Sequence, residues 1–155
     1  MRDLHPSHWW KPRRLCVDRR GAAAVEFALL APPLALMLFG MVDFGGAMYQ
    51  SMEVAAAAHA GADYALHNGW SSSGVQSAIT SATPLSVTAS PAPVLSNGCV
   101  SGGVVVLQSG ATCSGGGAAG SYVVAYAQIN LTTIASWPAF VLPATLSSQA
   151  IVRIH

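Results

Sequence analysis

Residues 19–44, RRGAAAVEFALLAPPLALMLFGMVDF, constrain this 155-residue chain more than any other stretch. Two arginines and a glycine lead into an apolar run with one carboxylate, Glu26, near its start, and residues 27–42 carry no charge. As a helix, residues 22–44 extend about 34 Å at ~1.5 Å per residue. That is enough to cross a hydrocarbon core of roughly 30 Å. The sequence therefore predicts one membrane-spanning helix near the N-terminus, and the rest of the chain must be compatible with it.

The charges fix an expected orientation. Six of the seven basic residues, Arg2, Lys11, Arg13, Arg14, Arg19 and Arg20, lie in the first 20 positions, opposed only by Asp3 and Asp18. Beyond Asp63 the sole charged side chain is Arg153. Basic residues ahead of a span tend to stay on the cytoplasmic side, so that the chain beyond the span is exported. A basic arm for nucleic acid would carry the same charge. The adjoining span already accounts for it, so the lipid bilayer is expected as a partner and nucleic acid is not. Trp9 and Trp10 can rest at the cytoplasmic membrane surface or be incidental. On this topology Cys16 faces a reducing compartment, while Cys99 and Cys113 face outside. There a disulfide between them is chemically allowed, with two free thiols as the alternative.

After the span, residues 45–69 continue as an alanine-rich helix, and alanine is the best helix former. Met48, Met52, Ala55, Ala56, His59, Ala62 and Leu66 recur at spacings of three and four and mark the expected buried face. Gln50, Glu53 and Asp63 lie off it. Asn68-Gly69 supplies a stop, giving one helix of about 45 residues from Ala22, ~65–70 Å long. Pro32-Pro33 predicts a kink or a loosened turn. Serines 71–73 offer a cap for a short helix to Ser81, ended by Pro84. From Leu85 onward LSVTA, VVVLQ, SYVVAYAQINLTT and LSSQAIVRI read as strands. The intervening turn-formers are Pro91, Pro93, Asn97-Gly98, Gly102-Gly103 and residues 114–120. ASWPAFVLP, residues 135–143, joins the last two strands. The expected fold is α+β: a long N-terminal helix followed by a small antiparallel sheet packed on its amphipathic half.

No catalytic or metal-binding constellation accompanies this plan. GGGAAG at residues 115–120 matches a nucleotide-binding pattern in letters, but it precedes a strand instead of opening a helix. His59 and His67 lack ligand spacing. No Asp or Glu comes after Asp63, so paired-carboxylate chemistry cannot be built beyond it, and a Ser–His–acid site would have to borrow Asp63 or Glu53 from the helix. No enzyme activity, metal or cofactor is expected. Asn130-Leu131-Thr132 fits a glycosylation acceptor, a pattern common by chance.

Glu26 is the informative carboxylate. A charge inside a span costs about 2.5–3.5 kcal/mol at the centre and less towards the edge. An interfacial glutamate reaching the headgroups is one reading. The other starts from Gly21, five residues earlier. A cut after Gly21 gives Ala22 a new α-amine and makes Glu26 the fifth residue. Amine and carboxylate can then pair between neighbouring helices and set their axial register.

RRGAAAVEF resembles a type IV prepilin processing site. The longer run to Gln50 resembles the N-terminus of TadE-like proteins of the tight-adherence (Tad, Flp-type) pilus system. MEVAAAAHAGADYAL is similar to the small-residue helix that comes after the span in that family, and SYVVAYAQINLTTI with LSSQAIVRI to its closing strands. The resemblance is strong over residues 19–66 and looser over residues 121–154. It implies a minor pilin or pseudopilin of Flp (type IVb) pili, acting in surface adhesion and biofilm formation. It implies a leader of residues 1–21 removed by a prepilin peptidase between Gly21 and Ala22. Beyond the leader it implies a transmembrane helix over residues 22–44, its amphipathic continuation over 45–69 and an exported β-rich domain over 70–155. The implied partners are the prepilin peptidase, other Tad/Flp pilus subunits and inner-membrane assembly proteins. The implied location is the bacterial inner membrane, single-pass with the N-terminus cytoplasmic, and incorporation in the pilus is open. The exported domain and the paired prolines depart from a major Flp pilin. A signal-anchored envelope protein without a pilus role, or a type II secretion pseudopilin, are the alternatives.

Overall fold

A computed structural model of the chain describes residues 19–154. The expected leader up to residue 18, with Trp9, Trp10 and Cys16, lies outside the described residues. Two helices precede four strands: α1 (Arg19–Asn68), α2 (Ser72–Ser81), β1 (Val94–Ser101), β2 (Val104–Gln108), β3 (Gly120–Asn130) and β4 (Thr145–Ile154). The described residues fall into two units, divided between Leu38 and Phe39.

In the first unit the chain is helical already at Arg19, three residues before the expected start. It stays helical through Pro32 and Pro33. Each proline removes one backbone donor, so the expected loosening is confined to missing hydrogen bonds within an unbroken helix. Phe27, Leu30, Leu34 and Met37 are all exposed. Apolar side chains on every side of a helix call for lipid or another protein around it. Among the described residues, one helical stretch, Gly21–Asn68, is long and apolar enough to cross a membrane.

The second unit is built on the later part of α1, and here the buried face differs from the expected one. Ala47, Gln50, Val54, Ala57, Ala58, Ala62 and Ala65 are buried, whereas Met48, Met52 and Leu66 are exposed. The true face is rotated by one residue, about 100°. Small side chains explain the choice. Val54, Ala57, Ala58, Ala62 and Ala65 share one core with Val75 and Ile79 of α2, Val87, Val123, Ala125 and Ala127 of β3, and Ala150 of β4. A Cβ placed on Gly61 would lie 2.6 Å from Ile79 Cγ1 and 3.2 Å from Ala125 Cβ. Helix and sheet therefore approach at the limit set by backbone and methyl groups, and methionine on that face would hold them apart.

Gly69 ends α1 with φ 75° and donates its N–H to Ala65 O at 3.0 Å. That is the left-handed stop expected of Asn-Gly. Ser71 caps α2, its Oγ accepting from Gly74 N at 3.2 Å.

The sheet is antiparallel with order β2-β1-β3-β4. Val123 opposite Val152, Ala125 opposite Ala150 and Ile129 opposite Leu146 set the register and place the apolar alternation of both strands on the α1 face. Two expectations fail. Leu85 to Ala89 is not a strand; it makes one bridge, Thr88 with Gln128. The prolines at 91 and 93 lack the N–H groups needed to carry that pairing into β1. Asn97-Gly98 is no turn but the middle of β1, where Gly98 lies under the Tyr122 ring. The hairpin turn is Gly102-Gly103, with φ 60° and 81°, the positive pair that a two-residue loop requires.

Replacing Gly61 with valine should cost about 1–3 kcal/mol by overpacking, read from denaturant unfolding of the chain in detergent. Gly46→Ala, whose methyl would meet nothing within 4 Å, should be neutral or stabilising by about 0.5–1 kcal/mol.

Candidate processing and assembly site

Gly21, Ala22 and Glu26 sit in consecutive turns of α1, all exposed. Ala22 and Glu26 are four residues apart, so they share one helix face about 6 Å apart along the axis. An α-amine at Ala22 and the Glu26 carboxylate would thus present opposite charges on one side of a helix. A Cβ on Gly21 would touch nothing within 4 Å. No positive φ occurs there either. In contrast to Gly61, no described packing requires glycine at position 21.

A second polar constellation has no counterpart among the sequence expectations. Asp43 is buried, and its carboxylate accepts three hydrogen bonds from the β3–β4 loop. Ile134 N donates at 2.7 Å, Ala135 N at 3.0 Å and Trp137 Nε1 at 2.7 Å. Seven residues on, two helical turns along the same face, Gln50 grips the same connection. Its Nε2 donates to Thr132 O at 3.2 Å, and its Oε1 accepts from Thr132 N and Oγ1, each at 3.3 Å. Gln50 thus satisfies the peptide of Thr132 in both directions, as a partner strand would. Charge-assisted bonds to a carboxylate are the stronger kind, so Asp43 is the principal anchor and Gln50 a secondary one. The available signal is an acid at the end of an apolar run with a glutamine seven residues later. It points to a polar stripe but not to its partner, since Trp137 lies 94 residues away.

Cys99 of β1 is bonded to Cys113, with the Cα atoms 5.8 Å apart. Cys113 begins a tight turn, donating its N–H to Gly117 O at 2.7 Å and accepting from Gly116 N at 2.8 Å. The bond ties this turn to the β1–β2 hairpin. Among the described residues no three His, Cys, Asp or Glu side chains gather as a metal site.

Cys113→Ser should lower stability by about 3 kcal/mol, the chain-entropy value for a loop of ~15 residues, and thiol labelling should rise only after reduction in the unsubstituted chain. Asp43→Ala should leave the Ile134 and Ala135 amides without acceptors, so that both exchange faster with deuterium while the β3 amides keep their protection.

Searches of curated proteins and of solved structures return no match to the chain. A family model described as TadE-like protein matches residues 21–63. The match opens on Gly21, includes Glu26, Asp43, Gln50 and Gly61, and stops short of α2 and the sheet. Over residues 21–63, which hold the exposed apolar helix and the small-residue face that receives the sheet, this chain is similar to TadE-like proteins.

Proposed function

We propose that the chain is a minor pilin or pseudopilin of a Tad (Flp, type IVb) pilus, matured by a prepilin peptidase that cuts between Gly21 and Ala22. The family match supports this, because it begins at the glycine that the cut requires. The open surroundings of Gly21 add to it: a glycine that the described packing does not need fits a constraint imposed by a peptidase. The cut removes every basic residue except Arg153. The mature helix keeps Glu26 as the one charged side chain ahead of Asp43. It stays in the inner membrane with its C-terminal part exported, and Glu26 pairs with the α-amine of a neighbouring subunit during assembly. Its partners are the other Tad/Flp subunits and the inner-membrane assembly proteins, and adhesion and biofilm formation are the outcome. Its contribution is structural: it presents a domain on a helix and catalyses nothing.

Mass spectrometry of the mature protein should find Ala22 at the N-terminus; a start at Met1 or after Ala47 refutes the reading. Gly21→Leu should abolish processing. Glu26→Ala should be processed normally but fail to support pili, scored by electron microscopy of the complemented strain. Normal piliation with alanine at position 26 would remove the register role.

A further inference from the structure

We propose that the β3–β4 loop, residues 131–144, is a second membrane contact, its apolar rim entering the outer lipid interface beside the point where α1 leaves the bilayer. This rests on the reading that α1 spans the membrane. All the residues involved belong to the second unit.

The loop is fixed to the end of the apolar run. Asp43 takes the N–H groups of Ile134, Ala135 and Trp137. The Trp137 ring lies over Gly40, 3.6 Å from where a Cβ would stand. The base is closed by Leu131 N donating to Ala144 O at 2.9 Å. Whatever depth Gly40 to Asp43 occupy, the loop shares it. Residues 27–42 are uncharged, so that depth is the lipid boundary, not bulk water.

The loop's surface has the composition for that position. LTTIASWPAFVLPA contains no acid and no base. Phe140 is 89% exposed, Ile134 70% and Val141 43%. On α1 at the same level, Phe39, Met41, Val42 and Phe44 are exposed as well. Exposed apolar side chains on a loop bonded to the end of the apolar run need an occupant, and that attachment to the spanning helix at Gly40 and Asp43 identifies lipid as the occupant. Tryptophan favours the interface, and here its N–H is already satisfied by Asp43. The carboxylate in turn takes three donors from the loop, which replace the water it would otherwise draw into the boundary.

The test uses the full chain carrying Cys16→Ser, reconstituted in vesicles of phosphatidylethanolamine and phosphatidylglycerol. Single fluorophores are placed by Phe140→Cys, Ile134→Cys, Met41→Cys and Ser77→Cys, all at exposed positions. Labels at 140, 134 and 41 should be quenched by nitroxide-bearing phospholipid and shielded from aqueous iodide. The label at 77, on α2, should behave in the opposite way. If the labels at 140 and 134 behave like 77 while 41 is quenched by lipid, the loop is aqueous and the proposal falls, with the span intact. If 41 also behaves like 77, the spanning reading fails and takes the proposal with it. Shielding of 140 and 134 from iodide without lipid quenching would assign the rim to a protein contact and equally overturn the proposal.

Discussion

The close approach of α1 to the sheet is the contact on which the second unit depends. It is a meeting of small groups: Ala57, Ala58, Gly61, Ala62 and Ala65 against Ala125, Ala127 and Ala150. Each such side chain contributes little apolar area, and the gain comes from dense packing at short range. Larger side chains complete the same core, with Val54, Ile79, Val75 and Val123 among the most deeply buried. A face of this kind leaves methionine, phenylalanine and leucine for the outside of the helix. The same helix can then satisfy two neighbours, a sheet on one side and lipid or protein on the other.

The polar anchors extend this contact towards the apolar run. Burial of Asp43 is tolerable because its carboxylate receives three donors, and of Gln50 because both ends of its amide are used. No buried side-chain nitrogen or oxygen among the described residues lacks a partner. The long connection between β3 and β4 would otherwise carry free backbone groups near the helix. It is ordered by the helix instead, and in that sense α1 serves as template for a loop as well as floor for a sheet.

How far the fold is legible in the chain depends on the range of each signal. Length and hydropathy locate the spanning stretch, and local chemistry locates the stop at Asn68-Gly69, the Ser71 cap and strands β2, β3 and β4. These signals act within a few residues. Periodicity misplaces the buried face of α1 because it counts large apolar groups, and here the sheet selects against them. Asn97-Gly98 misleads because a turn-forming pair can also serve mid-strand, when a ring such as Tyr122 needs room above a glycine. The Asp43 anchor depends on pairing across some 90 residues, which no local pattern encodes. Gly21 and Glu26 are legible as a motif. Their surroundings add that neither is occupied by the packing described within the chain.

Pro32 and Pro33 have a mechanical effect on the helix. Without their N–H groups, the carbonyls of Ala28 and Leu29 lose the amides that would normally close those turns. In hydrocarbon no water can substitute. This is therefore where α1 is tied together by the fewest bonds, and where bending disturbs it least. Glu26 lies less than two turns before that compliant spot, so the turn carrying its carboxylate is joined to the following turns of α1 through the helix's most sparsely bonded stretch.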